Sequence, residues 1–351
     1  MKSIYVGSNS EYSGKSLVCI CLGSALRAKG KKVGYMKPVG VLPALAGKTV
    51  TDEDALFMKE YFGLKEALED VCPVVLTHDL KMSLARGRPR GLREKIMESF
   101  RRVGKGKDVV LLGGGRTMDE GRMLGVPAEE LIRETKSRLV FVERYEENRG
   151  LDTVLAVKDR VGESFSGLIL NRIGVEAVEF VRKTIVPVLE REGVSVLGII
   201  PDDPVLKAVS VGDLASHLGA EVITARDRLD ELVHNFSVGA MSLDAAISRF
   251  RKVHDKALIT GGDRADLQIA ALETSTRCLV LTGGMYPQPL IQSKADEMKV
   301  PILVTKDDTL TTVEKIDALI GRPRIREKEK LERAMKLFRE NVSVKKLAGV
   351  L

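Results

Sequence analysis

Near the start of the chain, Gly14-Lys15-Ser16 close the segment Gly7-Ser8-Asn9-Ser10-Glu11-Tyr12-Ser13-Gly14, which follows an apolar run and precedes Leu17-Val18-Cys19-Ile20-Cys21-Leu22. A strand, a polar loop and a helix in that order gather backbone N–H groups and a positive helix end at one point, where they bind phosphate oxygens. In such a loop Lys15 reaches the β- and γ-phosphates of a nucleoside triphosphate and Ser16 offers its hydroxyl to Mg²⁺, with Ser10, Glu11, Ser13, Gly14 and Leu17 in the cradle. Strict spacing would put glycine at Asn9. The same residues also fit a polar turn capped by Ser13, with Lys15 in solvent.

Other residues could act beside this loop. Lys37 ends the run Val33-Gly34-Tyr35-Met36, and a lysine fixed at a strand end can neutralise charge on a transferring phosphoryl group or a substrate carboxylate. It can equally snorkel from the strand to water. In Asp52-Glu53-Asp54, Asp54 is a hard oxygen ligand for Mg²⁺ beside Ser16, or the three acids charge the start of a helix over residues 55–61. Asn171 ends Gly167-Leu168-Ile169-Leu170 with both a donor and an acceptor, as an adenine edge requires, or else caps a turn. Further along, Gly261-Gly262-Asp263-Arg264 reads as an anion-friendly turn in which Asp263 caps a helix and Arg264 holds a carboxylate or phosphate, or as a plain cap with a surface arginine.

The elements that must position these residues alternate along the chain. Runs too apolar to have a wet face (residues 3–7, 32–36, 108–112, 139–142, 167–170 and 194–199) are separated by helical stretches, which predicts a parallel sheet with helices on both faces. Ligands of such sheets bind at the carboxyl ends of the strands. After Pro201-Asp202-Asp203-Pro204 the pattern restarts with strands at 221–224, 257–260, 278–282 and 301–305, two of them ending in Thr-Gly-Gly. The fold class is therefore α/β, with a nucleotide-binding domain over 1–208 and a smaller α/β domain over 209–351 that ends in a basic amphipathic helix.

Composition narrows the function classes. The 351 residues are 44% hydrophobic and 30% charged, a globular balance. The longest apolar run falls far short of the roughly 20 residues of a bilayer span, so no membrane association and a cytoplasmic location are expected. The four cysteines show no C-x-x-C pair, and the four histidines no ligand pattern; buried thiols in a reducing compartment are expected. The net charge of +7 is spread among 49 acidic residues. Aromatic residues make up only 4%, so the basic stretches Arg86–Lys107 and Arg322–Lys346 lack a stacking platform and are read as solvated helix faces, not nucleic-acid contacts.

The ordered set of segments resembles dethiobiotin synthetase and the related N-terminal domain of long phosphotransacetylases. Val33–Gly40 resembles the family's second strand ending in Lys-Pro, Thr51–Asp54 its metal-binding segment, Gly167–Arg172 its base-recognition strand, and Leu197–Leu206, with Pro201, the strand and turn that close the nucleotide site. The resemblance implies ATP and Mg²⁺ as cofactors, Lys15 and Lys37 as catalytic groups, Ser16 and Asp54 as metal ligands, and Asn171 and Pro201 at the nucleotide. In that family the strand matching Asp108–Leu112 ends in a metal-binding glutamate, whereas this chain has Gly113-Gly114-Gly115; Asp119 or Glu120 would have to reach back. Ser10 stands where the partition ATPases carry a signature lysine, so a dimer-switched ATPase is not expected.

Leu258–Asp266, Leu279–Tyr286 and Val300–Lys306 resemble the DRTGG domain, which follows the same N-terminal domain in long phosphotransacetylases. The phosphotransacetylase catalytic domain that would come next is absent from this sequence, so acetyl transfer is not expected. The resemblance implies an ATP-binding, metabolite-sensing regulator related to acetyl-phosphate or acyl metabolism, acting as a homo-oligomer and on a partner enzyme. The alternative is a Mg-ATP-dependent ligase or kinase that activates a carboxylate, in the manner of dethiobiotin synthetase or cobyrinic acid amide synthase.

Overall fold

The computed structural model describes residues 1–87, 89–145, 151–320, 325–343 and 346–347. Arg88, Arg322, Arg324 and Lys345 of the two basic stretches lie outside the described residues. The chain divides into two compact units, Met1–Asp202 together with Ala334–Leu351, and Asp203–Arg333.

The first unit is built on six strands: β1 (Lys2–Gly7), β2 (Val33–Met36), β3 (Val109–Gly113), β4 (Arg138–Arg144), β5 (Phe165–Ile173) and β6 (Val196–Pro201). They lie in the order β6-β5-β4-β1-β3-β2, and every pairing is parallel. Ile4, Tyr5 and Val6 are all buried, as are Val109–Leu112 and Leu139–Val142. Strands without a polar face are what two covering helical layers demand. Because the strands run the same way, Gly7, Gly113, Glu143, Asn171 and Pro201 all come to one edge of the sheet.

Helix α1 (Lys15–Ala28) starts at that edge and buries Leu17 through Gly23 without a break. It approaches Phe62 so closely that a Cβ on Gly23 would sit 2.5 Å from the ring Cζ and 3.2 Å from Leu111 Cδ1. Between β2 and β3 the chain forms a hairpin (Pro43–Ala46 against Thr49–Asp52), helix α2 (Glu53–Tyr61) and helix α3 (Leu92–Gly104). Three basic side chains of and around α3 are paired within the domain: Arg93 with Glu130 and Glu134, Arg102 with Asp70, and Lys107 with Glu66. All four cysteines are free and buried.

The last stretch of the chain departs from the expected second domain. Val342 forms an antiparallel bridge to Gly198, and the Ser343 amide donates to the Leu197 carbonyl at 2.8 Å. An exposed edge strand needs partners for its backbone groups, and this segment supplies them to β6, so residues from Ala334 on belong to the first unit.

The second unit holds β7 (Glu221–Val222), β8 (Asn235–Val238), β9 (Lys256–Gly261), β10 (Thr276–Thr282) and β11 (Ile302–Val304) in the order β7-β11-β10-β9-β8, parallel except for β7. The two Thr-Gly-Gly strands are the neighbours β9 and β10, with Gly261 opposite Thr282. Strand β8 goes beyond the expected set; its Asn235 and Ser237 hide the pattern. Lys256, fully buried, is satisfied by Phe250 O, Val253 O, Thr274 Oγ1 and Ser275 O at 2.8–3.3 Å.

Glycine in a helix interior normally yields stability when replaced, but filling a tight core costs about 1–3 kcal/mol. Gly23→Val is therefore expected to lower the urea midpoint of unfolding by an amount equivalent to about 2 kcal/mol, with an unchanged denaturant slope.

Candidate functional site

At the end of β1 the loop turns through Tyr12 (φ 52°) and Gly14 (φ 101°), both left-handed, the kind of backbone from which anion nests are built. Helix α1 begins at Gly14 with no side-chain cap and no acidic residue in its first turn, so its positive end is left for a ligand. The loop is pinned from both flanks. The Asn9 amide donates to Glu143 Oε2 at 3.1 Å, and Asn9 Oδ1 accepts from the Met118 amide at 3.1 Å. Asn9 thus does with its side chain what a glycine at this position would leave undone. Ser8, buried, folds its hydroxyl onto Ser10 N and O at 2.9 Å.

Lys15 Nζ lies over the loop, donating to Ser10 O (3.2 Å), Arg116 O (3.0 Å) and Ser13 Oγ (3.4 Å). Burial, and then the nearby Lys37 ammonium, bring its pKa down to about 8. These neutral acceptors do not neutralise the charge. Glu11, half-exposed, pairs loosely with Arg116 at 3.7 Å, and Leu17 turns its side chain into the core, leaving it only its backbone for a ligand.

Lys37 does not snorkel. It is 3% exposed and lies 2.8 Å from Asp52 Oδ1 and 2.9 Å from Asp54 Oδ2. Burial works to lower its pKa, but the Asp54 and Asp52 carboxylates outweigh that and hold it above the ordinary lysine value. Asp52 and Asp54 divide the two roles between them. Asp52, fully buried, caps α2 through Asp54 N and Ala55 N and accepts from Val41 N (2.8 Å) and Leu42 N (2.9 Å). Asp54 turns to the loop, where Ser16 Oγ donates to its Oδ2 at 3.1 Å.

Ser16 and Asp54, expected as metal ligands, are therefore together at the cradle. Two hard oxygens beside a phosphate site fit Mg²⁺, which is held by one or two carboxylates plus phosphates and waters. The position of the expected glutamate is filled from another strand: a Cβ on Gly113 would fall on the Tyr35 hydroxyl oxygen. Tyr35 is buried, and burial raises its pKa well above the usual tyrosine value, so a neutral phenol replaces a carboxylate. Asp119 does not reach back; it pairs with Arg160 at 2.6 Å. Nor do Gly113, Gly114 and Gly115 take up a positive φ, so what Gly113 provides is space for Tyr35.

Asn171 is placed at the loop, where it ties down the backbone. Its Nδ2 donates to Ser13 O at 2.7 Å, and it presses so close that any side chain at Gly14 would fall on that nitrogen. Pro201 ends β6 opposite Ile173. Tyr35, Arg116 and Glu143 escaped the sequence reading, as did the side-chain role of Asn9 and the pairing of Asp52 with Lys37. A buried acid ending an apolar strand, as Glu143 does, was the one available signal.

In the second unit, Gly261 ends β9 and Gly262 follows it, and their carbonyls accept from Gln268 Nε2 at 3.2 and 3.1 Å. The expected cap is corrected: the residue at the start of the helix Ala265–Leu272 is Arg264, and no side chain caps it. Arg264 forks onto Asp266 at 3.0 and 2.9 Å and reaches Met241 O at 3.2 Å. The guanidinium is thus engaged by a partly exposed acid, a pairing worth little that an anionic ligand can displace.

The AAA domain pattern matches residues 2–210, over half of the chain. The chain belongs to the AAA domain family. Behind the AAA domain, the DRTGG domain matches residues 213–319. Phosphate acetyltransferase of Nitratidesulfovibrio vulgaris is 24% identical over 99% of this chain and 51% of its own length, and that of Synechocystis 23% over 99% and 52%. The chain thus spans about half the length of these curated relatives. ATP-dependent dethiobiotin synthetase of Methanococcus vannielii is 25% identical over 57% of this chain and 93% of its own length, so the relatives of the AAA domain are those its motifs resembled. Among solved structures, MinD of Pyrococcus horikoshii with Mg-ADP is 20% identical over 59% of this chain and 83% of that one, TM-score 0.38. The CBS and DRTGG domains of a Clostridium perfringens pyrophosphatase with diadenosine tetraphosphate are 19% identical over 41% and 70%, TM-score 0.30.

Removing a partner of a buried ion pair costs about 3–5 kcal/mol, and Asp52 is also the cap of α2. Asp52→Ala is expected to destabilise the protein at the upper end of that range, read as a urea midpoint shift. Asp54→Ala, a third exposed and with Asp52 left to hold Lys37, is expected to cost markedly less.

Proposed function

We propose that this chain binds ATP with Mg²⁺ at the loop ending in Lys15 and Ser16, and that it works as a nucleotide-dependent regulator whose DRTGG domain takes a small anionic metabolite at Gly261, Gly262, Asp263 and Arg264. The carrying observation is the set Lys15, Ser16, Asp54 and Lys37 at an uncapped helix start, with Tyr35 in place of the second carboxylate. Ser16 and Asp54 would hold the ion, which when bound screens the β- and γ-phosphates. Lys15 would bind the phosphates, and Asn171 would keep the loop in shape instead of reading the base. One carboxylate fewer at the metal supports binding without efficient turnover. The ATP-dependent relative supports the choice of nucleotide, and the phosphate acetyltransferase relatives support a role in acyl-phosphate metabolism, with a homo-oligomer and a regulated partner enzyme as parts of the same reading. Among the described residues no helix is long and apolar enough to cross a membrane, and the regulator is assigned to the cytoplasm.

A second reading, a ligase or kinase that activates a carboxylate, draws on Lys37, which stays charged at the site rim beside Asp54. ADP release with Mg²⁺, measured with and without small carboxylic acids, separates the two. Tight ATP binding without turnover is expected, and substrate-stimulated release would overturn the regulator.

Lys15→Ala is expected to weaken ATP binding by at least about 100-fold, from the loss of a charged contact to the phosphates, as read by calorimetry. Because the free Lys15 is half-deprotonated at about pH 8 and a polyphosphate favours the ammonium, ATP affinity should fall as pH rises through that value. At pH 9 binding should take up a proton, visible as an enthalpy that depends on the buffer's ionisation heat. At pH 7 that uptake should be small.

A further inference from the structure

Arg172 follows Asn171 on β5 and is held in a way the rest of the fold does not repay. Its backbone is left-handed, φ 56°, a conformation disfavoured for a residue with a side chain. Its side chain is 18% exposed, and Nη1 is fully buried with no hydrogen-bond partner. Asp202 Oδ1 lies 3.8 Å from Nε, at the outer limit of an ion pair. A guanidinium does not give up its proton in a protein, so this is a desolvated cation with a donor left over.

The surroundings add positive charge. Arg144, at the end of β4, stands opposite Asn171 in the ladder, and after burial its charge is what most depresses the Arg172 pKa. The acid beside it, Glu143, accepts from the Asn9 and Arg144 amides at 3.1 and 3.3 Å. Arg172 and Arg144 thus meet the distant Asp202 and Glu143 at the carboxyl ends of β4, β5 and β6, the edge where parallel sheets take ligands.

We propose that Arg172, with Arg144, forms an anion-binding subsite separate from the phosphate loop, which takes a phosphate or carboxylate group. The planar fork of Arg172 matches the paired oxygens of either group, and an anion there would supply the partner that Nη1 lacks. The group belongs either to the far end of the nucleotide or to a second, small anionic ligand bound beside it.

The test uses the full chain carrying Lys15→Ala, so that the phosphate loop is already disabled and its failure to bind nucleotide would leave every outcome readable. Inorganic phosphate is titrated and followed by phosphorus NMR, with acetate as competitor. One phosphate site is expected, weakened about tenfold or more by adding Arg172→Gln, the loss of a charge-assisted contact, and less by Arg172→Lys. In phosphate-free buffer Arg172→Gln is expected to match or exceed its parent in melting temperature, because it removes an unpaired buried charge. Competition by acetate extends the site to carboxylates; its absence restricts the site to phosphate. In the chain with Lys15 intact, weaker ATP binding after Arg172→Gln assigns the group to the nucleotide, and unchanged ATP binding assigns it to a second ligand. Phosphate affinity indifferent to Arg172, no phosphate binding at all, or a fall in melting temperature from Arg172→Gln would overturn the proposal.

Discussion

Taking an ammonium group out of water costs several kcal/mol unless carboxylates go with it, and Lys37 is almost wholly out of water. Its two partners sit on either side of the junction between the hairpin and α2. Asp52 is then also committed to capping that helix and to the Val41 and Leu42 amides. The consequence is positional. Once Lys37 is satisfied, Asp54 has one place to be, at the Ser16 hydroxyl, and the segment between β2 and α2 is tied to the start of α1. The charge that could act on a phosphate and the carboxylate that could hold its metal are set by one buried pairing.

That arrangement also explains how a site can keep its cradle while altering its chemistry. A carboxylate at residue 113 would have to share the space of the Tyr35 hydroxyl, which comes from the neighbouring strand β2. Glycine and tyrosine are therefore one structural feature, and each restricts the other. Replacing an acid by a phenol with a raised pKa removes a negative charge next to Lys37, Asp52 and Asp54. Such a site can still gather phosphate through backbone and Lys15, since those contacts do not involve residue 113.

What was legible in the sequence was what lies close along the chain. The strand, loop and helix of residues 2–28 could be read because their spacing is the structure, and the alternation of buried strands gave the sheet for the same reason. Asn171 was read as meeting an adenine edge or capping a turn; the contact the fold gives it, to Ser13, spans 158 positions, and only the closeness of β5 to the loop brings that amide to the carbonyl. Asp263 was taken for a cap because it precedes a helix, but the chain takes one more residue to turn, which puts Arg264 at the helix start. The return of the last segment to β6 could not be read at all. It depends on an edge strand needing hydrogen bonds, and an amphipathic tail gives no sign of which edge it will meet.

The second unit carries the same logic with a weaker anchor. Its strand ends are organised by Gln268, which holds both glycine carbonyls, and by threonines that bond along the edge, Thr282 to Thr309 at 2.8 Å among them. Buried neutral hydrogen bonds fix a backbone firmly, yet they set no charge, and Arg264, a cation at that edge, rests on a partly exposed aspartate. An anion arriving there has only to exchange for a carboxylate already half in water, whereas one arriving at Arg172 meets a donor with nothing to give up. The two units thus differ in the physical cost of occupation: exchange at the DRTGG edge, and completion of an unpaired charge at the AAA edge.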